Sequence, residues 1–248
     1  MPIVPWYAKQ DIANPDLFWP WCMQPNEFML THIGGGMVTD RFIMIGMPHT
    51  GTGALHEWLP KIKGLRIINL EGHKPYSYSV AKCEEAGITP PPAFTFVRNP
   101  WEWNVAIWAW IRHVNRRWFC GSFADLLELQ RYTRHWSMPD INTAGITAAW
   151  EYLECEKATY VGKLEDYDNQ IPCILGWLIP DLITESQARE HIRRTGRSSG
   201  SGPMPDGLPK KPYQEFYTPT QRDMVGEMES GLIERFKYSF ADKGREFY

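Results

Sequence analysis

Residues 41–55 read RFIMIGMPHTGTGAL: an apolar run from Phe42 to Met47, a break at Pro48, then a string of glycine and threonine. The unbroken run predicts a buried parallel strand, because a strand covered on both faces loses the alternation of a half-exposed one. Leu55, Trp58 and Leu59 share helical spacing and Pro60 marks the end, so strand, tight turn and helix follow one another. At such a junction small residues let backbone N–H groups converge and the helix start adds positive potential, a combination that binds phosphate. The same glycines would also serve a tight turn with no ligand. Gly46 and Gly51 have the separation of the nucleoside-triphosphatase loop, but Thr52 and Gly53 stand where that loop needs Lys and then Ser or Thr. This argues against ATP or GTP hydrolysis.

Outward from this junction, strands and helices alternate. A second strand is expected over Leu65–Leu70, a helix from Tyr78 to Ala86 stopped by Gly87, and a third strand over Ala93–Val97 behind Pro90, Pro91 and Pro92. A long helix follows Pro100, with Val105, Trp108, Ala109 and Arg112 at helical intervals. Ser122 and Asp125 form a capping-box pattern ahead of FADLLELQRY, a fourth strand covers Ala158–Val161, and Pro219 opens a helix with Met224, Met228 and Ile233 on its packed face. The pattern predicts an α/β fold, a three-layer sandwich around a mainly parallel sheet. Residues 1–40, rich in proline and large aromatics, read as an arm packed on a domain spanning 41–248, with Gly34, Gly35 and Gly36 as the turn between them. From Ala188 to Lys211 a basic flap is expected, centred on GRSSGSGP.

The 248 residues fit one sizeable domain. Hydrophobic residues at 43% and charged residues at 22% exclude a disordered or fibrous chain. With 26 Lys and Arg against 29 Asp and Glu, there is no basic excess to coat a nucleic acid, so none is expected as partner. No long apolar run or basic leader is visible, which makes the cytoplasm the expected address. Cys22, Cys83, Cys120, Cys155 and Cys173 form no CxxC pair and read as small buried hydrophobes; no metal site is indicated. Oligomeric state leaves no mark on the sequence. For Trp101, Trp103 and Trp108 core packing is the first expectation, ahead of stacking on adenine or an acceptor.

The second chemical signal is FTFVRNPWEWNVAIWAW, in which Arg98 ends an expected central strand, the edge where open parallel sheets place ligands. An arginine there either forks onto phosphate or forms a structural ion pair.

MPHTGTGAL and VRNPWEW, in this order, resemble the sulfotransferases that use 3′-phosphoadenosine 5′-phosphosulfate (PAPS), in their bacterial and Golgi-like branch with its P-loop fold. The family pattern has a PK[ST]GT-like loop for the 5′-phosphosulfate and a later RNP or RDP segment for the 3′-phosphate. ATYVGKLEDYDNQI resembles the family's next strand with a Glu and Asp pair, here Glu165 and Asp168, and YQEFYTPTQRDMVGEMESGLIERFKYSF resembles its closing helix and tail.

The resemblance implies PAPS as sulfonate donor, the desulfonated nucleotide 3′-phosphoadenosine 5′-phosphate (PAP) as product, and a small-molecule or carbohydrate acceptor bearing a hydroxyl or amine. On this pattern Thr50, Gly51, Thr52, Gly53 and Ala54 hold the 5′-phosphosulfate and Arg98 the 3′-phosphate. Arg194 and Arg197 stand where a loop closes over the nucleotide, though ordinary solvated charge comes first as the explanation for either one alone. His73, in LEGHKPYS, is the expected general base, with a surface or capping histidine as the other reading and Glu71 as fallback base or turn cap. Two residues depart from the pattern. His49 occupies the position of a Lys or Arg, where it would offset charge on the leaving oxygen, and Ala106 replaces a serine that helps hold the 3′-phosphate. These departures keep open a module that retained binding and lost catalysis. The second alternative, a P-loop small-molecule kinase, is disfavoured by Thr52 at the position of the loop lysine.

Overall fold

The computed structural model describes residues 35–70, 72–114, 122–133, 144–195, 211–242 and 244. Five strands form one mixed sheet: β1 (Met37–Thr39), β2 (Ile43–Met44), β3 (Ile67–Leu70), β4 (Ala93–Val97) and β5 (Tyr160–Lys163), in the order β3-β1-β2-β4-β5. Parallel pairings join β2 to β4 and β4 to β5, whereas β1 is antiparallel to both β2 and β3. Four strands therefore run one way and β1 the other.

Strand β1 corrects the expectation that residues up to 40 belong to an arm; residues 1–34 lie outside the described residues. Thr39 closes the β1–β2 turn, its Oγ1 accepting the N–H groups of Arg41 at 3.1 Å and Phe42 at 2.8 Å. This hydroxyl satisfies two turn donors that would otherwise be orphaned. The second expected strand shortens to β3, at the sheet edge beyond β1.

Nine α-helices occur among the described residues: α1 (Thr52–Trp58), α2 (Tyr76–Glu85), α3 (Pro100–Val114), α4 (Phe123–Thr133), α5 (Ile146–Tyr152), α6 (Tyr167–Leu178), α7 (Glu185–Thr195), α8 (Pro219–Met228) and α9 (Ser230–Phe236). The expected capping box at α4 is present, Ser122 N–H donating to Asp125 Oδ2 at 2.7 Å and Asp125 N–H to Ser122 Oγ at 3.3 Å. Thr218 and Gln221 cap α8 in the same way.

Alternate residues of the strands feed two apolar clusters, as a pleat of period two requires. Val38, Ile43, Ala93 and Val97 pack with Trp103, Ile107, Leu126, Ile146, Val225 and Leu232. Met37, Met44, Phe94 and Phe96 pack with Leu55, Trp58, Ile171, Leu175 and Ala188. Trp103 is fully buried, and its truncation to Ala is expected to remove about 3–5 kcal/mol.

The basic flap is corrected in its first part. Residues 188–195 are the end of α7, where Arg189 pairs with Glu185, and Arg193 and Arg194 pair with Glu190. Acids one turn away pair with these exposed arginines and favour the helix modestly. Residues 196–210 lie outside the described residues. Cys83 and Cys155 are buried as expected, but Cys173 is exposed, with Arg189 Nη2 3.7 Å from its sulfur. Cys22 and Cys120 fall outside the described residues. Among the described residues no helix is long and apolar enough to cross a membrane.

Candidate active site

The carboxyl ends of β2, β3 and β4 lie at one sheet edge and carry the glycine loop, His73 and Arg98 respectively. The chain leaves β2 for β3 on one side and returns to β4 on the other. A change of direction of this kind opens a crevice at the strand ends.

The loop is built from residues that tolerate its path. Gly51 has φ 85° and His49 has φ 56°, both in the left-handed region. Glycine is at ease there, and a histidine is held there against a small local cost. Gly46 lies against Gly35 so closely that a Cβ would come within 1.9 Å of the Gly35 carbonyl carbon. Thr50 is buried, and its hydroxyl donates to Met47 O at 2.8 Å. Thr52, Gly53 and Ala54 form the first turn of α1, whose N–H groups have no partner within the helix.

His73 bonds through Nδ1 to the main-chain oxygen of Gly46 at 2.6 Å. A carbonyl only accepts, so Nδ1 carries the proton and Nε2 of the neutral ring is left with a lone pair. Burial lowers the pKa of His73; the Gly46 carbonyl pulls it upward and nearby His56 lowers it again. His56 is itself lowered by burial, against the carbonyls of Gly35 and Gly36. A neutral, oriented imidazole is the form that accepts a proton.

His49 lies edge-on to Trp110, ring centroids 5.3 Å apart, and its Nδ1 is buried with no hydrogen-bond partner among the described residues. Burial, then the charge of Arg98, then His73 push its pKa down to about 3. Burial and the neighbouring guanidinium thus work against a positive charge at this position.

Arg98 is 3% exposed. Its Nη1 donates to His49 O at 3.2 Å and its Nη2 to Glu102 Oε1 at 2.9 Å. The two sequence signals therefore meet, and Arg98 is at the same time the structural ion pair that was its other reading. Glu165 accepts the N–H of Asn99 at 2.6 Å and the hydroxyl of Tyr238 at 3.2 Å, which ties the start of α3 to the C-terminal segment. Burial raises the pKa of its carboxyl. Asp168 sits in the first turn of α6. Ala106 is 2% exposed within the apolar cluster around Trp103. Trp101, Trp103 and Trp108 are core residues, as first expected.

Arg194 is exposed on α7 with its Nε on Glu190 at 2.5 Å and is not among the groups joined at the loop. Arg197 and Glu71 lie outside the described residues. Three side chains that the sequence does not assign to the loop reach it: Thr95 Oγ1 donates to Ile45 O at 2.9 Å, Trp103 Nε1 to Pro48 O at 2.9 Å, and the Tyr167 hydroxyl to Gly51 O at 3.3 Å. Glu102, the acid four residues beyond Arg98, stands at the helix spacing of an ion pair.

No protein-family model matches this chain, and no curated protein matches its sequence. In structure it is similar to mouse sulfotransferase SULT7A1 complexed with PAP, at 15% identity over 80% of this chain and 76% of that one, with a TM-score of 0.43.

Proposed function

We propose that this chain transfers a sulfonate group from PAPS to a hydroxyl or amine on a small-molecule or carbohydrate acceptor, in the cytoplasm. One observation carries the reading: the glycine loop, His73 and Arg98 come from three strand ends and are joined by hydrogen bonds at one edge of the sheet. The two apolar clusters on opposite strand faces support the three-layer arrangement expected for such an enzyme.

The fit of the nucleotide rests on His49, whose buried Nδ1 lacks a partner and, in the tautomer that carries its proton, can donate to a ligand oxygen. Glu102 weighs against it, because a phosphate at Arg98 has to share the guanidinium with that carboxylate. In the proposed mechanism the N–H groups of Thr50, Gly51, Thr52, Gly53 and Ala54 bind the 5′-phosphosulfate, and Arg98 supplies positive potential at the 3′-phosphate end. Arg194 and Arg197 are retained as proposed phosphate contacts, Arg194 at the expense of its pairing with Glu190. His73 Nε2 takes the acceptor proton as the acceptor oxygen or nitrogen bonds to sulfur and the bridging S–O bond to the 5′-phosphate breaks. His49 donates a hydrogen bond as charge grows on the departing oxygen.

The test is transfer of radiolabelled sulfonate from PAPS to a panel of phenols, sugars, alcohols and amines; labelled product with at least one acceptor class is expected. A second reading, a nucleotide-binding module without catalysis, is favoured by the uncharged state of His49 and the ion pair at Arg98. PAP binding with no labelled product across the panel would select it.

A further inference from the structure

The loop between β2 and α1 is held by its carbonyl groups. Of the seven from Ile45 to Gly51, six accept a side-chain donor. Thr95 Oγ1 takes Ile45 O at 2.9 Å, His73 Nδ1 takes Gly46 O at 2.6 Å, and Thr50 Oγ1 takes Met47 O at 2.8 Å. Trp103 Nε1 takes Pro48 O at 2.9 Å, Arg98 Nη1 takes His49 O at 3.2 Å, and the Tyr167 hydroxyl takes Gly51 O at 3.3 Å. These donors stand on β4, after β3, on the loop itself, on α3, after β4 and on α6.

Every described peptide bond is trans, so the N–H of each unit points opposite to its C=O. With Pro48 O drawn to α3 and Gly51 O to α6, the N–H groups of His49 and Thr52 are directed away from those helices. That of Thr50 is directed away from Arg98. Outside the helices, no backbone acceptor takes the N–H of His49 or Gly51 among the described residues. A glycine-rich segment left to itself exchanges the directions of N–H and C=O by peptide rotation, and a carbonyl oxygen turned toward an anion repels it.

We infer that Tyr167, Trp103 and Thr95 are positioning residues that fix the peptide orientations of this loop, so that it presents N–H groups to the 5′-phosphate end of a nucleotide. The inference rests on the nucleotide reading above and goes beyond it by assigning side chains that touch no ligand. Simple satisfaction of buried carbonyls would also place donors here, but it would not couple them to one end of the ligand.

That difference sets the experiment. The wild type, Tyr167→Phe, Thr95→Val and a control, Tyr217→Phe, whose lost hydroxyl bonds Trp101 O at 2.8 Å, are titrated with PAP. Each is then titrated with adenosine 3′-phosphate, which lacks the 5′-phosphate, read by its displacement of PAP. Each loop variant is expected to weaken PAP binding about three- to tenfold, the effect of one hydrogen bond, while adenosine 3′-phosphate binds as to wild type. The control should change neither. Unaltered PAP affinity in both loop variants, or equal loss for both ligands, overturns the positioning role. A folded wild type that binds no PAP overturns the nucleotide reading itself, and this assignment with it.

Discussion

Arg98 reaches from the end of β4 to the main-chain oxygen of His49 at 3.2 Å, while Glu102 holds its second amino group at 2.9 Å. One residue thus ties two strand-end loops together and arrives with its charge already paired. The pair is buried, with side-chain exposures of 3% and 1%. A buried ion pair of this kind does little for net stability, but removal of one partner leaves a charge without compensation.

Arg98→Ala should therefore cost about 3–5 kcal/mol of unfolding free energy in urea, more than the loss of one surface ion pair. A loss below about 1 kcal/mol would show that Glu102 is neutralised by other means.

His73→Asn keeps a donor for Gly46 O and removes the ring nitrogen that accepts the proton. Turnover should drop about a hundredfold or more with PAP affinity retained. Equal rates would move the base role to another group.

The depressed pKa of His49 makes stability depend on pH with a definite sign. Its ordinary value is 6.5 and its folded value about 3, so below 6.5 the unfolded chain binds the proton more readily than the folded one. Its contribution is complete above 6.5 and is lost as pH falls toward 3. The slope for one imidazole is at most about 1.4 kcal/mol per pH unit. His49→Asn, which tolerates the left-handed backbone, should unfold in urea with a shallower pH dependence than wild type just below 6.5. Parallel slopes would mean that His49 is not buried neutral.

The loop glycines separate by what a methyl group would meet. At Gly51 a Cβ approaches the Tyr167 ring at 3.0 Å and Leu164 at 3.1 Å with φ 85°, so Gly51→Ala should cost about 1–2 kcal/mol. At Gly46 it strikes main chain, and Gly46→Ala should destabilise more or prevent folding. Thermal denaturation ranks the two, and the reverse order would contradict the packing of the loop on Gly35.

What the sequence made legible follows the range of the forces involved. The strand at Ala93–Val97 was readable residue by residue, because all five side chains are buried and the run is unbroken. Strand β1 was not: its three residues follow consecutive glycines and owe their conformation to the neighbours on either side. Helix α6 was hidden by Pro172 in its interior, and α7 by a face whose only apolar members are Ala188 and Ile192. In the site, the loop, His73 and Arg98 were visible as local patterns. The donors that hold the loop, Trp103 and Tyr167, were not, since each acts across a separation of more than fifty residues.

Nucleotide binding at this loop is measured by a calorimetric titration of the full chain with PAP. Saturable heat, one nucleotide per chain, competed by PAPS and unaffected by ATP, is the predicted result. No heat with PAP at high micromolar concentration, from protein shown to be folded, would mean that the loop and Arg98 do not form a PAP site.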